Sequence, residues 1–266
     1  MTPPSSQSTS RGEPLLQLRS VDVPSVRSPG LPLIQGIDWQ VNTREFWVIG
    51  GLLGSGKTNF LNTAAGALPP LHGEVEVFGR ILHQGEVETD LLERLRIGLV
   101  HDGGLLLRHL NVAENISLPL RYHHNATDEE VAKRLWAWLK ATELHDWADE
   151  SSGNISRNWA QRAGLARACM LEPEVLLLDS PLSGLDPQHA RWWLQTLAEL
   201  ADGHPLISHR PMTLVVTCDD FRPWIAPGRK YAVLRERRLE ILDASLPAEH
   251  VINTLATSVS TMRDPR

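Results

Sequence analysis

One eight-residue stretch constrains this chain more than any other: "GLLGSGKT", Gly51 to Thr58, set between the apolar run "FWVIG" (46–50) and a helix-like stretch from about Asn59 to Leu68. It fits G-x-x-x-x-G-K-[ST] at every fixed position and has the strand-then-helix context that the pattern needs. Glycines at 54 and 56 let the backbone close on an anion, so that amide N–H groups and a helix N-terminus surround phosphate oxygens. Gly51, Leu52, Leu53, Gly54, Ser55, Gly56, Lys57 and Thr58 are therefore the candidate nucleotide-binding residues, Lys57 for the β/γ-phosphates and Thr58 for Mg²⁺. Asp179 ends the apolar run "VLLL" (175–178) and is the matching acid for the metal. A Mg-nucleotide is the expected ligand.

The rest of the chain supports a layered α/β fold. Short strand patterns occur at 15–24, 38–42, 73–79 and 97–101, then in "EVLLLDS" and "MTLVVTCDD", and a closing hairpin is expected from about Lys230 to Ile241. From Leu110 to about Ala168 the pattern is mostly helical, and Thr127 with Glu130 three residues later reads as a capping box. The last dozen residues carry no pattern. Strands alternating with helices around a helical block argue an α/β sheet with a helical insert.

Composition excludes several alternatives. The 266 residues carry 26 basic and 32 acidic side chains, a net charge of −6, and no basic tract suited to nucleic acid. Cys169 and Cys218 form no ligand pattern, which suits a reduced cytosolic protein. No apolar run is long enough to span a membrane, and the Pro/Ser-rich start reads as a disordered tail rather than a signal peptide. Asn115, Asn125 and Asn154 match the glycosylation pattern by chance in that setting. Neither His123-His124 nor His204/His209 has convincing metal-ligand geometry. Most of the nine tryptophans are expected in the core.

The order of "GLLGSGKT", "GEVEVFG", "IGLVHDGGLLLRHLNVAENISLPL", "ISRNWAQRAGLARA", "EPEVLLLDSPLSGLDP" and "TLVVTCDD" resembles the ATP-binding subunit of ABC transporters. The resemblance covers about residues 15–245, with 1–14 as a tail, a helical insert at about 105–170, and 246–266 as a C-terminal tail. It implies a P-loop NTPase sheet (RecA-like core) with an antiparallel β subdomain and an inserted α-helical subdomain. The loop after His101 is similar to the subgroup serving lipid or hydrophobic-molecule import, the maintenance-of-lipid-asymmetry type. Expected partners are a transmembrane permease subunit, received by residues 105–124, and a second ATP-binding subunit, identical or different. That places the chain on the cytoplasmic face of the cell membrane.

Four positions depart from the family pattern. The glutamate expected after Asp179 is Ser180, the switch histidine is Cys218 (followed by the usual acid, Asp219), and the Q-loop glutamine is Asp102. The signature L-S-G-G-Q reads Ile155-Ser156-Arg157-Asn158-Trp159, which keeps Ser156 as a nucleotide contact and loses both glycines. A serine hydroxyl is no base at neutral pH, and a positioned base contributes about 10²–10⁴ in rate. The expectation is ATP binding with slow or absent hydrolysis at the chain's own site. Asp102 is a candidate Mg²⁺ ligand or displaced base, although a relaxed position in an inactive site explains it as well, and Arg157 is a candidate cationic contact to phosphate. The rival reading is a regulatory or scaffolding module that keeps the fold for interaction alone.

Overall fold

The computed structural model describes residues 14–26, 28, 30–82, 87–123 and 126–260. The first five strands are β1 (Leu16–Pro24), β2 (Pro32–Val41), β3 (Phe46–Gly51), β4 (His72–Val77) and β5 (Arg80–Ile81). The other five are β6 (Ile97–Val100), β7 (Val175–Leu178), β8 (Thr213–Cys218), β9 (Arg229–Arg235) and β10 (Arg238–Ile241). Helices α1 (Lys57–Ala64), α2 (Val87–Arg94), α3 (Val112–His123) and α4 (Asp128–Ala141) are followed by α5 (Arg157–Cys169), α6 (Pro187–Asp202) and α7 (Ala248–Ser260).

Six strands form the central sheet in the order β10-β9-β3-β8-β7-β6, and four form an antiparallel sheet, β2-β1-β4-β5. Strands β9, β3, β8, β7 and β6 run parallel; β10 closes the edge antiparallel to β9. The parallel strands are apolar on both faces because both are covered. Successive residues point to opposite sides. Val48, Leu176, Leu178, Leu214 and Val216 pack toward the helical block, whereas Trp47, Ile49, Val175, Leu177 and Val215 meet α1 and the antiparallel sheet. All four side chains of β7 are fully buried, so Asp179 is delivered from a rigid element.

The helical block is α3, α4 and α5, with α3 packed on both of the others. The capping box at its middle helix is present, Thr127 and Glu130 each bonding the other's backbone N–H. Asn115 is buried and bonded: its Nδ2 donates to the carbonyls of Leu107, Leu110 and Asn111, and its Oδ1 accepts from the Leu107 N–H. The glycosylation match there is thus an interior side chain that fixes the turn into α3. Asn125 and His124 lie outside the described residues.

The sequence reading differs from the structure in three places. β2 begins at Pro32 rather than near 38, because its early residues alternate only weakly. The expected closing hairpin is half of something larger, since β9 pairs in parallel with β3 from Phe46↔Arg229 to Gly51↔Leu234. The C-terminal segment is not a featureless tail: it carries α7, whose Val251 and Leu255 are buried in the core. So few apolar contacts give too thin a pattern to read in isolation. Five tryptophans (Trp39, Trp47, Trp138, Trp193, Trp224) are buried as expected, and Trp136 is exposed.

Candidate functional site

β3 stops at Gly51 and α1 starts at Lys57, so the loop between them lies at the C-terminal edge of the parallel strands, where open α/β sheets hold ligands. Gly54 and Gly56 have φ of 82° and 97°, a left-handed backbone that an L side chain adopts only with strain. At Gly56 a Cβ would also fall 2.9 Å from Leu33. Lys57 Nζ donates to the carbonyls of Gly51 (2.6 Å) and Leu52 (3.1 Å). Ser55 Oγ is buried with no partner among the described residues, an orphaned polar atom inside the loop. Leu53 at the loop's tip is fully exposed.

The metal-binding candidates converge. Thr58 Oγ1 donates to Asp179 Oδ2 at 2.6 Å, and Thr217 Oγ1 donates to Asp179 Oδ1 at 2.9 Å. Asp179 is only 4% exposed, and its N–H is fixed by the carbonyl of Val100 at 2.8 Å. The N–H of Ser180 donates to Thr217 Oγ1 at 2.9 Å, with Ser180 at φ 48°. Thr217 is the residue that sequence reasoning missed. Its only signal is a hydroxyl interrupting the apolar run of β8 one position before the strand ends.

Burial lowers the affinity of the Lys57 amine for its proton, against which Asp219 and Asp179 act to keep it charged. Burial pushes the Cys218 thiol well above the ordinary range, so it stays neutral and weakly polar. Ser180, Ser183, Thr217, Cys218, Asp219 and Asp220 share one cavity of about 160 Å³ with Trp224 at its wall. The two positions where the family pattern expects a glutamate and a histidine therefore open on a common space.

Asp102 does not join this group. Its carboxylate is taken by the Arg157 guanidinium, whose Nη1 also donates to the carbonyl of Ser183 at 2.7 Å. Asp102, read as a candidate Mg²⁺ ligand or displaced base, is held here in an ion pair with Arg157 of the same chain. Arg157 likewise is bound to two loops of its own chain. Ser156 sits exposed at the start of α5, and its side chain makes no capping bond. The guanidinium of Arg162 lies over the ring of Trp159, at the last signature position (4.6 Å), and over that of Trp192 (3.9 Å). Glu143 neutralises that buried cation at 2.6 Å.

The helical block meets the central sheet through backbone. A Cβ on Gly104 would fall 1.9 Å from the carbonyl oxygen of Ala160, and one on Gly164 would fall 2.8 Å from the Gly104 Cα. Arg167 completes the join, donating to the carbonyls of Gly104 (2.8 Å) and Leu105 (3.0 Å).

The family model described as ABC transporter matches residues 34–183, more than half of the chain. The chain belongs to the ABC transporter family. The spermidine/putrescine import ATP-binding protein PotA of Trichodesmium erythraeum is 31% identical over 214 residues, 79% of this chain and 52% of that protein. The sulfate/thiosulfate import ATP-binding protein CysA of Methylococcus capsulatus is 35% identical over 175 residues, 64% of this chain and 48% of that one. The chain thus spans about half the length of these curated relatives. Among solved structures, the dimeric ATP-binding cassette MJ0796 bound to ADP and Pi superposes with a TM-score of 0.73 at 26% identity. That match covers 86% of this chain and 99% of the cassette. The ABC fold explains the two sheets, with the phosphate loop leaving β3 and Asp179 leaving β7 on the same edge. Among the described residues no helix is long and apolar enough to cross a membrane, and no cluster of three metal-ligating side chains occurs. The loop-and-hydroxyl donor set fits a Mg-nucleotide: a left-handed glycine cradle, an orphaned Ser55 Oγ, and a Thr58–Asp179 pair sharing a proton that a cation can replace.

Proposed function

We propose that this chain is the ATP-binding subunit of an ABC-type membrane transport complex, holding Mg-ATP and hydrolysing it slowly or not at all at its own site. The observation that carries the reading is the convergence of Lys57, Thr58 and Asp179, with Ser180 where a base is needed. When bound, Mg²⁺ supplies charge neutralisation at the phosphates. Amides of residues 52–58 and Ser55 Oγ orient the phosphates, and Lys57 exchanges its two backbone acceptors for phosphate oxygens. Asp179, fixed by Thr217 and the Val100 carbonyl, holds the metal's position with Thr58. Ser180 and the neutral Cys218 offer no group that removes a proton from water at neutral pH.

Nucleotide-driven closure against a second ATP-binding subunit, identical or different, then serves as the conformational signal to a permease. The permease surface is the groove of about 390 Å³ beside α3, lined by Leu110, Ala113, Glu114, Ser117, Leu118 and Leu135. Leu105, Leu107 and Tyr122 are exposed in the same 105–124 segment. This arrangement puts the subunit peripherally on the cytoplasmic face of the membrane. The loop after His101 supports a lipid-like or hydrophobic cargo; spermidine, putrescine and sulfate, named for the relatives, are the competing cargoes to assay beside it.

The test is Mg-ATP affinity and phosphate release in the same samples, with Lys57→Ala as the control. Binding on the order of micromolar that the control loses, with little or no release, is the expected result. No binding would leave the scaffold reading, and release at rates ordinary for enzymes would overturn the slow-site reading.

A further inference from the structure

Loss of the glutamate at 180 raises the question of which carboxylate around the cavity is free to accept a proton. Asp179 receives Thr58 and Thr217. Asp102 is paired with Arg157. Asp220 receives the backbone N–H and Nε of Arg222, and its second oxygen lies 2.8 Å from Arg222 Nη2. Asp186 caps α6 and holds His189 at 2.6 Å. Asp219 differs from all of these. It lines the same cavity as Ser180 and Thr217, it is exposed, and no hydrogen bond or ion pair engages its carboxylate among the described residues. It also acts electrostatically on Lys57, the cation of the phosphate loop.

We infer that Asp219 is the general base for the residual nucleotide hydrolysis of this chain, acting across the cavity that Ser180 and Cys218 leave open. The inference rests on the nucleotide-binding reading above. In the step it performs, a water in the cavity gives a proton to the Asp219 carboxylate as its oxygen bonds to the γ-phosphorus. The bond from that phosphorus to the β,γ-bridging oxygen breaks, and its electron pair leaves with ADP. Asp219 then returns the proton to the released phosphate or to solvent. Water is the only co-reactant. Asp219 bears electrostatically on Lys57. The base comes from the end of β8 instead of β7, and its side chain is one methylene shorter than glutamate, which makes a slow rate the expectation.

The experiment uses the full chain with Mg-ATP, comparing Asp219→Asn with the charge-matched neighbour Asp220→Asn, and measures nucleotide affinity beside single-turnover phosphate release. Asp219→Asn is expected to bind ATP within about threefold of the parent and to lose about 10²-fold or more of its release rate, down to the Lys57→Ala background. Asp220→Asn is expected to retain release within about threefold. A second readout does not depend on turnover: the carboxyl ¹³C resonance of Asp219 should move on saturation with a non-hydrolysable Mg-ATP analogue, and that of Asp220 should move less. Undiminished release in Asp219→Asn, a parent rate no higher than Lys57→Ala, or an unmoved Asp219 resonance in a saturated sample would overturn the inference while leaving nucleotide binding intact. Loss of ATP binding by the parent chain itself would instead overturn the reading on which it rests.

Discussion

The phosphate loop and the start of α5 are both expected to meet nucleotide, yet they have fared differently in this chain. At the phosphate loop every fixed position is present, and the geometry rests on backbone: left-handed glycines, amides, and a strand end buried on both faces. At the start of α5 the two glycines of the signature are Arg157 and Asn158, and the side chains there serve the chain itself. Arg157 ties Asp102 to the carbonyl of Ser183, and Trp159 roofs Arg162. Between these regions lie Ser180 and Cys218, on one cavity. On the proposed reading, the elements that position nucleotide are kept, while Arg157 and Trp159 at the opposing loop serve contacts within the chain. A binding site can survive that exchange, since affinity needs only the cradle, whereas turnover needs a base and an opposing loop that approaches closely.

The strongest way to break this contrast is at the seat of α5 on the loop after β6, which is backbone against backbone. Gly104→Ala places a Cβ 1.9 Å from the Ala160 oxygen at a residue whose φ is 79°. Overpacking and left-handed strain each cost about 1–3 kcal/mol. The variant should lose on the order of 3 kcal/mol or more of unfolding free energy in denaturant melts, or accumulate as insoluble protein. A melt unchanged from the parent would mean that the insert moves aside freely and that the contact is not structural.

Next in size is Lys57→Ala, which sharpens the contrast by removing the cradle's one cation and leaving its backbone. Hydrogen bonds to charged groups are worth about 1.5–3 kcal/mol, so Mg-ATP affinity should fall about 10- to 100-fold or more. The fold should be retained, because the amine's present acceptors are carbonyls of the loop itself. Equal affinity in the variant, by equilibrium titration, would remove the phosphate loop from the account.

The two regions also differ in how far the sequence discloses them. The phosphate loop was legible residue by residue because its spacing is dictated by the shape of a phosphate chain and needs no partner segment. Asp179 was legible because an acid ending a buried strand is costly without a purpose. The sheet order was legible only through resemblance, and α7 was not, since Val251, Ile252 and Leu255 alone among its described side chains pack on the core and leave little periodicity. Asp102 shows the limit most clearly. Its position suggested metal or base chemistry, but its fate is set by Arg157, fifty-five residues away, and no local pattern encodes that pairing. Thr217 was missed for the same reason: its role exists only when β8 lies beside β7.

A smaller effect is expected at the Arg157–Asp102 pair. Both side chains are close to half exposed, 43% and 46%, so solvent screens the interaction. A double-mutant cycle with Arg157→Ala and Asp102→Asn should give a coupling of about 0.2–1 kcal/mol in unfolding free energy, falling as salt is added. A coupling several times larger that persists at about 1 M salt would show a desolvated lock between insert and core.

The smallest effect compares two histidines, one beside Asp179 and one beside Trp138. His101, at the end of β6, has its proton affinity lowered by burial and by Arg167, with Asp179 acting the other way. His204 is lowered by burial and by His209 against Glu199; its ring stacks on Trp138 and its Nδ1 accepts the Leu206 N–H. Both are neutral in the folded chain at pH values where the unfolded chain, with ordinary values near 6.5, already binds protons. The sign follows from linkage: the unfolded state takes up more protons, so stability is fully present above about pH 6.5 and declines as pH falls through the lowered folded values. His204→Gln should flatten that decline wherever it is measured. His101→Gln should flatten it, and saturating Mg-ATP should steepen it in the parent, because a cation near Asp179 further disfavours protons on the folded state. Denaturant melts at pH 7.5, 6.5 and 5.5, with and without nucleotide, separate the two. A decline that nucleotide leaves untouched, and that only His204→Gln removes, would place the acid sensitivity where His204 meets Trp138 rather than at the phosphate site.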